Sequence, residues 1–378
     1  MSADITCRLC HSPRMREWLR LKGSPRSVQR LLSSGKHAQD GIDFTLFGCL
    51  DCGFVQAPRT LEEDYYDDYV MTATHSRQMR QYQSEQAADF VGRFALGGKS
   101  VLEVGCGDGN FLEYLHDAGA MPSGVEPSQP FRELAEKRSY PIFAEYMGRK
   151  LRVPAGPYAG FVTRQVLEHV EDPNNFLAGI RANLMPGGVG LIEVPCLEKA
   201  LDQCRFYDFF PDHLNYFSAS TLRYAAELNG FETLESCRGM DGEYNIVYVR
   251  RREVPDSAKL QAAVEMTASH MKDFIREQRR FGKRIALWGA GGKGLALLGA
   301  ARPEGVAYVV DSDPHKWQKF TPILGLPIYP PDHLAEDPVD VVFVTALAYE
   351  QEILAGLRER GFTGTIALLG ESVRIAQP

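Results

Sequence analysis

Residues 98–109 of this 378-residue chain read Gly-Lys-Ser-Val-Leu-Glu-Val-Gly-Cys-Gly-Asp-Gly, and they constrain the fold more than any other stretch. Val101-Leu102-Glu103-Val104 is a short apolar run that stops abruptly at glycine, as a buried strand does when it leaves a parallel sheet. Gly105, Gly107 and Gly109 alternate through the turn, after which Phe111-Leu112 and Tyr114-Leu115 begin a helical period. Glycine there lets the turn close tightly and lets a ligand approach the backbone without meeting a Cβ. Glu126, twenty-three positions after Glu103, ends a second strand-like run, Ser123-Gly-Val-Glu126. An acidic residue at that place accepts hydrogen bonds from both ribose hydroxyls of an adenosine.

The length predicts two or three domains. With 44% hydrophobic and 24% charged residues, the composition is that of a soluble globular protein. A formal charge of −7 argues against nucleic acid as a partner, and the basic run Arg276–Arg284 reads as a solvated helix end. No segment approaches eighteen uncharged apolar residues, and no apolar core follows a basic start. The expectation is a cytoplasmic protein with no membrane partner, in which the eight cysteines stay reduced and serve metal binding or packing.

Residues 1–60 form the first predicted module. Cys7-Arg-Leu-Cys10 and Cys49-Leu-Asp-Cys52 are two paired-cysteine turns with thirty-eight residues between them. Each pair aims two thiolates at one tetrahedral ion, which closes a structural zinc site at Cys7, Cys10, Cys49 and Cys52 with no open position. His11 and His37 are the alternative ligands. The gap is long enough for a helix at Arg26–Ser33 and a strand at Phe44–Phe47. Residues 61–97 are first aromatic and acidic, with Tyr65, Tyr66 and Tyr69, then helical from Arg77 to Phe94, and read as a lid segment. Residues 98–250 alternate strands and helices, with strands at 100–104, 123–126, 159–163, 189–194 and 244–249. Within them Phe206-Tyr-Asp-Phe-Phe-Pro-Asp-His-Leu-Asn-Tyr-Phe-Ser218 places an acid–histidine pair, Asp212-His213, among aromatics. Ser218 and Ser220 offer caps for a helix over Leu222–Asn229 that Gly230 ends. Residues 251–283 read as a charged helical connector. Residues 284–378 begin a second strand–glycine loop–helix–strand–acid unit, Arg284–Leu295 followed by Val306–Asp311, with Asp311 twenty-two positions past Gly289.

Glu103-Val-Gly-Cys-Gly-Asp-Gly109 resembles the first motif of the class I S-adenosylmethionine-dependent methyltransferases, as do Val162–Val170 and Leu184-Met-Pro-Gly-Gly–Val194 at later positions. The three-module order resembles the sugar C-methyltransferases that act on nucleotide-linked keto-deoxysugars. That resemblance implies an α/β fold: a doubly wound methyltransferase sheet flanked by an N-terminal zinc module and a C-terminal Rossmann-like substrate-binding domain. It implies S-adenosylmethionine at Glu103, Gly105, Gly107, Gly109, Glu126 and Gln165. The family stretch "E-H-L-x-Y-F-S" is similar to Asp212–Ser218, and its loop "G-x-G-A-x-x-K-G" to Gly289–Gly294. Catalytic roles for His213, Asp212, His169 and Tyr69, and substrate contacts at Tyr216, Gly289, Gly291 and Lys293, follow from the resemblance. The chain departs from the family at Phe209 and Phe210, where a tyrosine is usual. It departs again at Asp212 for glutamate, in the lid Tyr69-Val-Met-Thr-Ala-Thr, and at Ala346–Tyr349, where Ala348 falls in place of the usual asparagine segment.

Methylating carbon needs a proton removed beside a ketone. His213 suits that task as base with Asp212 as its orienting acid, and His169 as a donor to the developing oxyanion. The partner is then a small molecule, by resemblance a nucleotide-linked sugar, and the protein a monomer or homodimer. Rival readings are the same architecture methylating a non-sugar metabolite at carbon, oxygen or nitrogen, and an NAD(P)-dependent oxidoreductase using the C-terminal glycine loop. A binding protein with a retired methyltransferase domain is a third. Lys293 within the loop, with no Tyr-x-x-x-Lys spacing in residues 284–378, speaks against the oxidoreductase.

Overall fold

The computed structural model describes residues 5–26, 28, 40–58, 76–369 and 372–376. Tyr65, Tyr66, Tyr69 and most of the helix read at Arg26–Ser33 lie outside them. The chain divides into two units, Met1–Glu253 and Val254–Pro378.

The first unit opens with strands β1 (Met15–Ser24), β2 (Ile42–Cys49) and β3 (Val55–Gln56), which pair antiparallel in sequence. Helix α1 (Arg77–Arg93) follows, started by Ser76, whose hydroxyl accepts from Met79 N. The central sheet is built from β4 (Ser100–Val104), β5 (Met121–Val125), β6 (Ile142–Phe143), β7 (Tyr158–Arg164) and β8 (Leu184–Pro195). Helices α2 (Asn110–Asp117), α3 (Gln129–Ala135) and α4 (Pro173–Ala182) make its crossovers, and Asp172 caps α4 by accepting from Asn175 N at 2.9 Å. Helix α5 (Leu197–Asp202) leads to β9 (Asn215–Tyr216), then α6 (Ala219–Leu228), β10 (Phe231–Gly239) and β11 (Tyr244–Arg251).

Strand order in the central sheet is β10-β11-β8-β7-β4-β5-β6, with β11 alone running against the other strands. The chain leaves β4 toward one edge and returns on the other side through β7, so a crevice opens at the carboxyl ends of β4 and β7 where ligands of such sheets bind. Alternation along each strand fills both faces. Leu102, Val104, Phe161, Ile192 and Val194 enter one core, while Val101, Val162 and Leu191 enter the other with Ala87, Phe90 and Phe111 from the covering helices. The strand of β10, absent from the sequence reading, forms a hairpin with β11. Its half-exposed face dilutes the apolar pattern that made the inner strands legible.

β9 does not join the central sheet. It pairs antiparallel with β3, Val55 against Tyr216 and Gln56 against Asn215, so the segment just after Asp212-His213 supplies the fourth strand of the cysteine module's sheet.

In the second unit, α7 (Ala258–Arg280) precedes β12 (Ile285–Trp288), α8 (Gly292–Ala301), β13 (Tyr308–Val310), β14 (Ile328–Tyr329), α9 (His333–Glu336), β15 (Val341–Val344), α10 (Glu350–Glu359), β16 (Thr365–Leu369) and β17 (Val373–Ala376). The sheet runs β14-β13-β12-β15-β16-β17, parallel except for β17. Helix α7, read from its charge as a connector, buries Met271 and Ile275 in one core with Ile285, Leu287 and Phe343. A helix with one narrow apolar stripe and many charges looks like a linker until the sheet that receives the stripe is known.

Candidate active site

Gly105, Gly107 and Gly109 all take left-handed backbone, at φ of 78°, 52° and 75°. A Cβ at Gly105 would overlap the Val166 side chain, whereas Gly107 faces open space. The loop is therefore tied to the end of β7 on one side and bare on the other. The Glu126 carboxylate accepts from Gly107 N at 2.9 Å and Ser128 N at 2.8 Å. Burial raises its pKa against those two donors. Each oxygen keeps a second lone pair, so both remain able to accept from vicinal hydroxyls. A bare glycine turn beside a held acid fits an adenosine. Glu103, expected at the cofactor, is buried with Oε2 unpartnered, and burial pushes its pKa up while Arg164 opposes.

Gln165, also expected at the cofactor, has a left-handed φ of 54° and donates to Glu193 Oε1 at 3.2 Å. Glu193, fully buried near the carboxyl end of β8, accepts as well from Gln86 at 2.7 Å, from Arg164 at 2.9 Å and from the Tyr82 hydroxyl. Such compensation is what keeps a buried carboxylate tolerable. Sequence reading missed this network because Tyr82 and Gln86 lie more than a hundred residues from Glu193.

His169 and His213 meet edge to face, ring centroids 4.8 Å apart, both buried. His169 sits in a short turn, Leu167–His169, just past β7, and its Nδ1 lies 2.9 Å from the Asp212 carbonyl oxygen. A nitrogen facing a carbonyl carries the proton, so neutral His169 presents Nε2 as an acceptor and not as the oxyanion donor the sequence suggested. Burial depresses both imidazoles, and His169 further depresses His213. Asp212, expected to orient His213, accepts at its carboxylate from Val28 N at 2.8 Å. Asp212 lies in a turn closed by His213 N, which donates to Phe210 O at 3.1 Å.

The aromatics around His213 have a structural explanation. Phe209 packs on Trp18 and Tyr216, and Phe217 on Phe54, joining the loop to the cysteine module. The Tyr216 hydroxyl donates to Phe210 O at 2.9 Å and accepts from Phe210 N at 3.1 Å, so it holds the loop. Arg8 donates to Leu214 O at 3.3 Å and Ala57 O at 2.5 Å, and Asn215 Nδ2 donates to Leu167 O at 3.0 Å and Val170 O at 2.6 Å. His213 lines a cleft of about 190 Å³ with Phe210, Tyr216, Tyr244 and the Arg205–Glu243 ion pair.

Cys7 and Cys52 place their sulfurs 3.6 Å apart, as do Cys10 and Cys49, and all four Sγ lie within 4.8 Å of one another. Four sulfurs at about 2.3 Å from a tetrahedral ion stand roughly 3.8 Å apart, so the donor set fits a zinc ion. Burial pushes the Cys7 thiol up to about 11.

In the second unit Asp311 is committed to its own loop: it accepts from Ala290 N at 2.7 Å, Asp313 N at 2.9 Å and Lys316 at 3.0 Å. Gly289 has a φ of 119°, and a Cβ there would strike Ala346 at 2.7 Å. Gly291 caps α8, and Lys293 is exposed in its first turn.

Residues 78–236 match the model of a methyltransferase domain, and residues 252–367 that of a C-methyltransferase C-terminal domain. The chain is 25% identical over 343 residues to the C-methyltransferase NovU of Streptomyces niveus, covering 82% of each. It is 31% identical over 113 residues to a ubiquinone biosynthesis O-methyltransferase of Actinobacillus pleuropneumoniae, covering 27% of this chain and 48% of that one. Among solved structures, the PH0226 protein of Pyrococcus horikoshii aligns at 16% identity over 51% of this chain and 100% of that chain, with a TM-score of 0.43. No helix among the described residues is long and apolar enough to cross a membrane.

Proposed function

Because this chain is an S-adenosylmethionine-dependent methyltransferase with the C-terminal domain of the C-methyltransferases, we propose that it methylates the carbon beside a ketone, on a nucleotide-linked keto-deoxysugar. The observation that carries the reading is a buried, neutral His213 lining a cleft beside His169, at the end of the sheet where the glycine loop turns. The length of the match to a C-methyltransferase supports carbon as the acceptor.

His213 takes the proton from the carbon next to the carbonyl, the C–H electron pair becomes the enolate double bond, and the oxygen takes the negative charge. Desolvation suits the residue to this task, because a neutral imidazole keeps its lone pair at physiological pH. S-adenosylmethionine, when bound, supplies the electrophilic methyl group. Glu126 and the glycine loop hold the adenosine, and Arg205 and the aromatics of the cleft orient the acceptor. His169, through its bond to the Asp212 carbonyl, fixes the loop that carries the base. At the N-terminal module, Cys7, Cys10, Cys49 and Cys52 hold a structural zinc with no position left for water.

The test is solvent-deuterium exchange at the reacting carbon, with methyl transfer from labelled cofactor across keto-sugar nucleotides and simple ketones. The intact protein should exchange without cofactor. His213→Ala should lose turnover by about a hundred- to ten-thousandfold while still binding S-adenosylmethionine. Exchange absent from the intact protein, or unchanged in His213→Ala, would refute the assignment.

A further inference from the structure

We propose that Glu168 is the positioning residue for the base: its carboxylate receives the Nδ1–H of His213 as Nε2 takes the proton from substrate. The inference rests on His213 being the base and assigns it the acid that Asp212 does not supply.

Glu168 precedes His169 in the turn after β7 and is 2% exposed. Its Oε2 has no hydrogen-bond partner, and neither does Nδ1 of His213. The ligand atoms of Glu168, His169 and His213 lie within 4.8 Å of one another. Two buried atoms without partners and of complementary kind, a carboxylate oxygen and a nitrogen able to carry hydrogen, on side chains whose polar ends come this close are an arrangement native interiors rarely leave without a use. The backbone fixes them: Leu214 N donates to Glu168 O at 2.8 Å, tying the residue after His213 to Glu168 itself. With Nδ1 sealed from solvent, the ring of His213 meets the cleft through its Nε2 edge. This is base, ring and orienting acid in the order that acid–base triads use.

Among the described residues, the charged and titratable groups around the pair come from several elements. His169 contacts His213 from the same turn, and Asp212 is directed to Val28 N. Glu193 from β8 and Tyr244 from β11 reach Glu168 through the field, and Tyr216 of β9 meets the His213 ring at 5.9 Å. Arg205, Asp208 and Glu243 line the far side of the cleft and pair with each other. Burial, reinforced by the Glu193 charge, pushes the Glu168 carboxyl up to about 8, with its own amide opposing. The group is thus protonated below that pH and ionised above it. The proton balance is simple: carbon loses one proton to Nε2, His213 moves its Nδ1 proton toward Glu168, and product release returns the extra proton to water.

Exchange at the reacting carbon should therefore rise with pH through about 8 in the intact protein. In Glu168→Gln that limb should vanish and the rate at high pH should fall roughly a hundredfold, the lower end of what a placed proton-transfer group contributes. Asp212→Asn should keep the limb. In the unsubstituted protein, 15N-histidine NMR should show a histidine signal stepping near pH 8, which tests the coupling even if Glu168→Gln folds poorly. A limb unchanged in Glu168→Gln, a limb lost in Asp212→Asn, or the absence of the NMR step would overturn the proposal. So would a second divalent ion per chain that disappears with Glu168→Gln, since the residue would then be a ligand. If His213→Ala keeps full exchange, the base assignment has failed; if it loses exchange while Glu168→Gln keeps the limb, only the role of Glu168 has.

Discussion

Asn215 joins three parts of the first unit, and its replacement by alanine tests how they are held together. The residue is 1% exposed, in β9, paired with Gln56 of the cysteine module. Its Nδ2 donates to Leu167 O and Val170 O, the carbonyls that bracket the Glu168–His169 turn. Leu167 O keeps a long bond from Val170 N at 3.4 Å, so Val170 O is the group left without its donor. Two lost bonds at about 1 kcal/mol each, plus about 1–2 kcal/mol for an orphaned carbonyl, are offset in part because Asn215 Oδ1 is already unpartnered. The net expectation is a destabilisation of about 2–3 kcal/mol. With a urea m-value of about 3 kcal/mol/M for a unit of this size, the midpoint should fall by roughly 0.7–1 M. Trp18 belongs to the first unit, Trp288 and Trp317 to the second, so 19F NMR of fluorotryptophan-labelled protein reads the first unit separately. Exchange at the reacting carbon should fall as well, because the turn and the His213 loop lose their tie. A midpoint shift below about 0.2 M, with exchange intact, would show that the staple carries neither stability nor site geometry.

Metal analysis should find one zinc per chain. Its removal by chelation should change the Trp18 signal and lower exchange, since Arg8 and β3 hold the loop at Leu214–Tyr216; a metal-free protein with full activity and an unaltered Trp18 signal would refute this. Glu126→Ala should weaken S-adenosylmethionine binding by about 1.5–3 kcal/mol in calorimetry, and also lower stability because Gly107 N and Ser128 N lose their acceptor. Unchanged affinity would remove Glu126 from the ribose.

Local chemistry made part of this protein legible without coordinates. A strand that ends in alternating glycines, followed by an acid at the end of the next strand, leaves few folds open, because only a tight turn between parallel strands needs that composition. Paired cysteines and the Ser218 cap before α6 are equally local, each set by residues within a few positions. Within the site, the sequence singled out His169 and His213 and paired His213 with Asp212. Asp212 is adjacent to His213 in the chain and accepts from Val28 N, whereas Glu168 lies 45 positions earlier in the sequence and within reach of it. The sequence placed Asp212-His213 among the aromatics of residues 206–217, and several of these form the seam between that loop and the cysteine module, which β9 reveals. Glu193, with donors from α1 and the end of β7, carried no local sign at all. The division has a physical cause: turns, caps and metal knuckles are satisfied by near neighbours, whereas buried charges and bases are satisfied by whatever the packed sheet brings beside them.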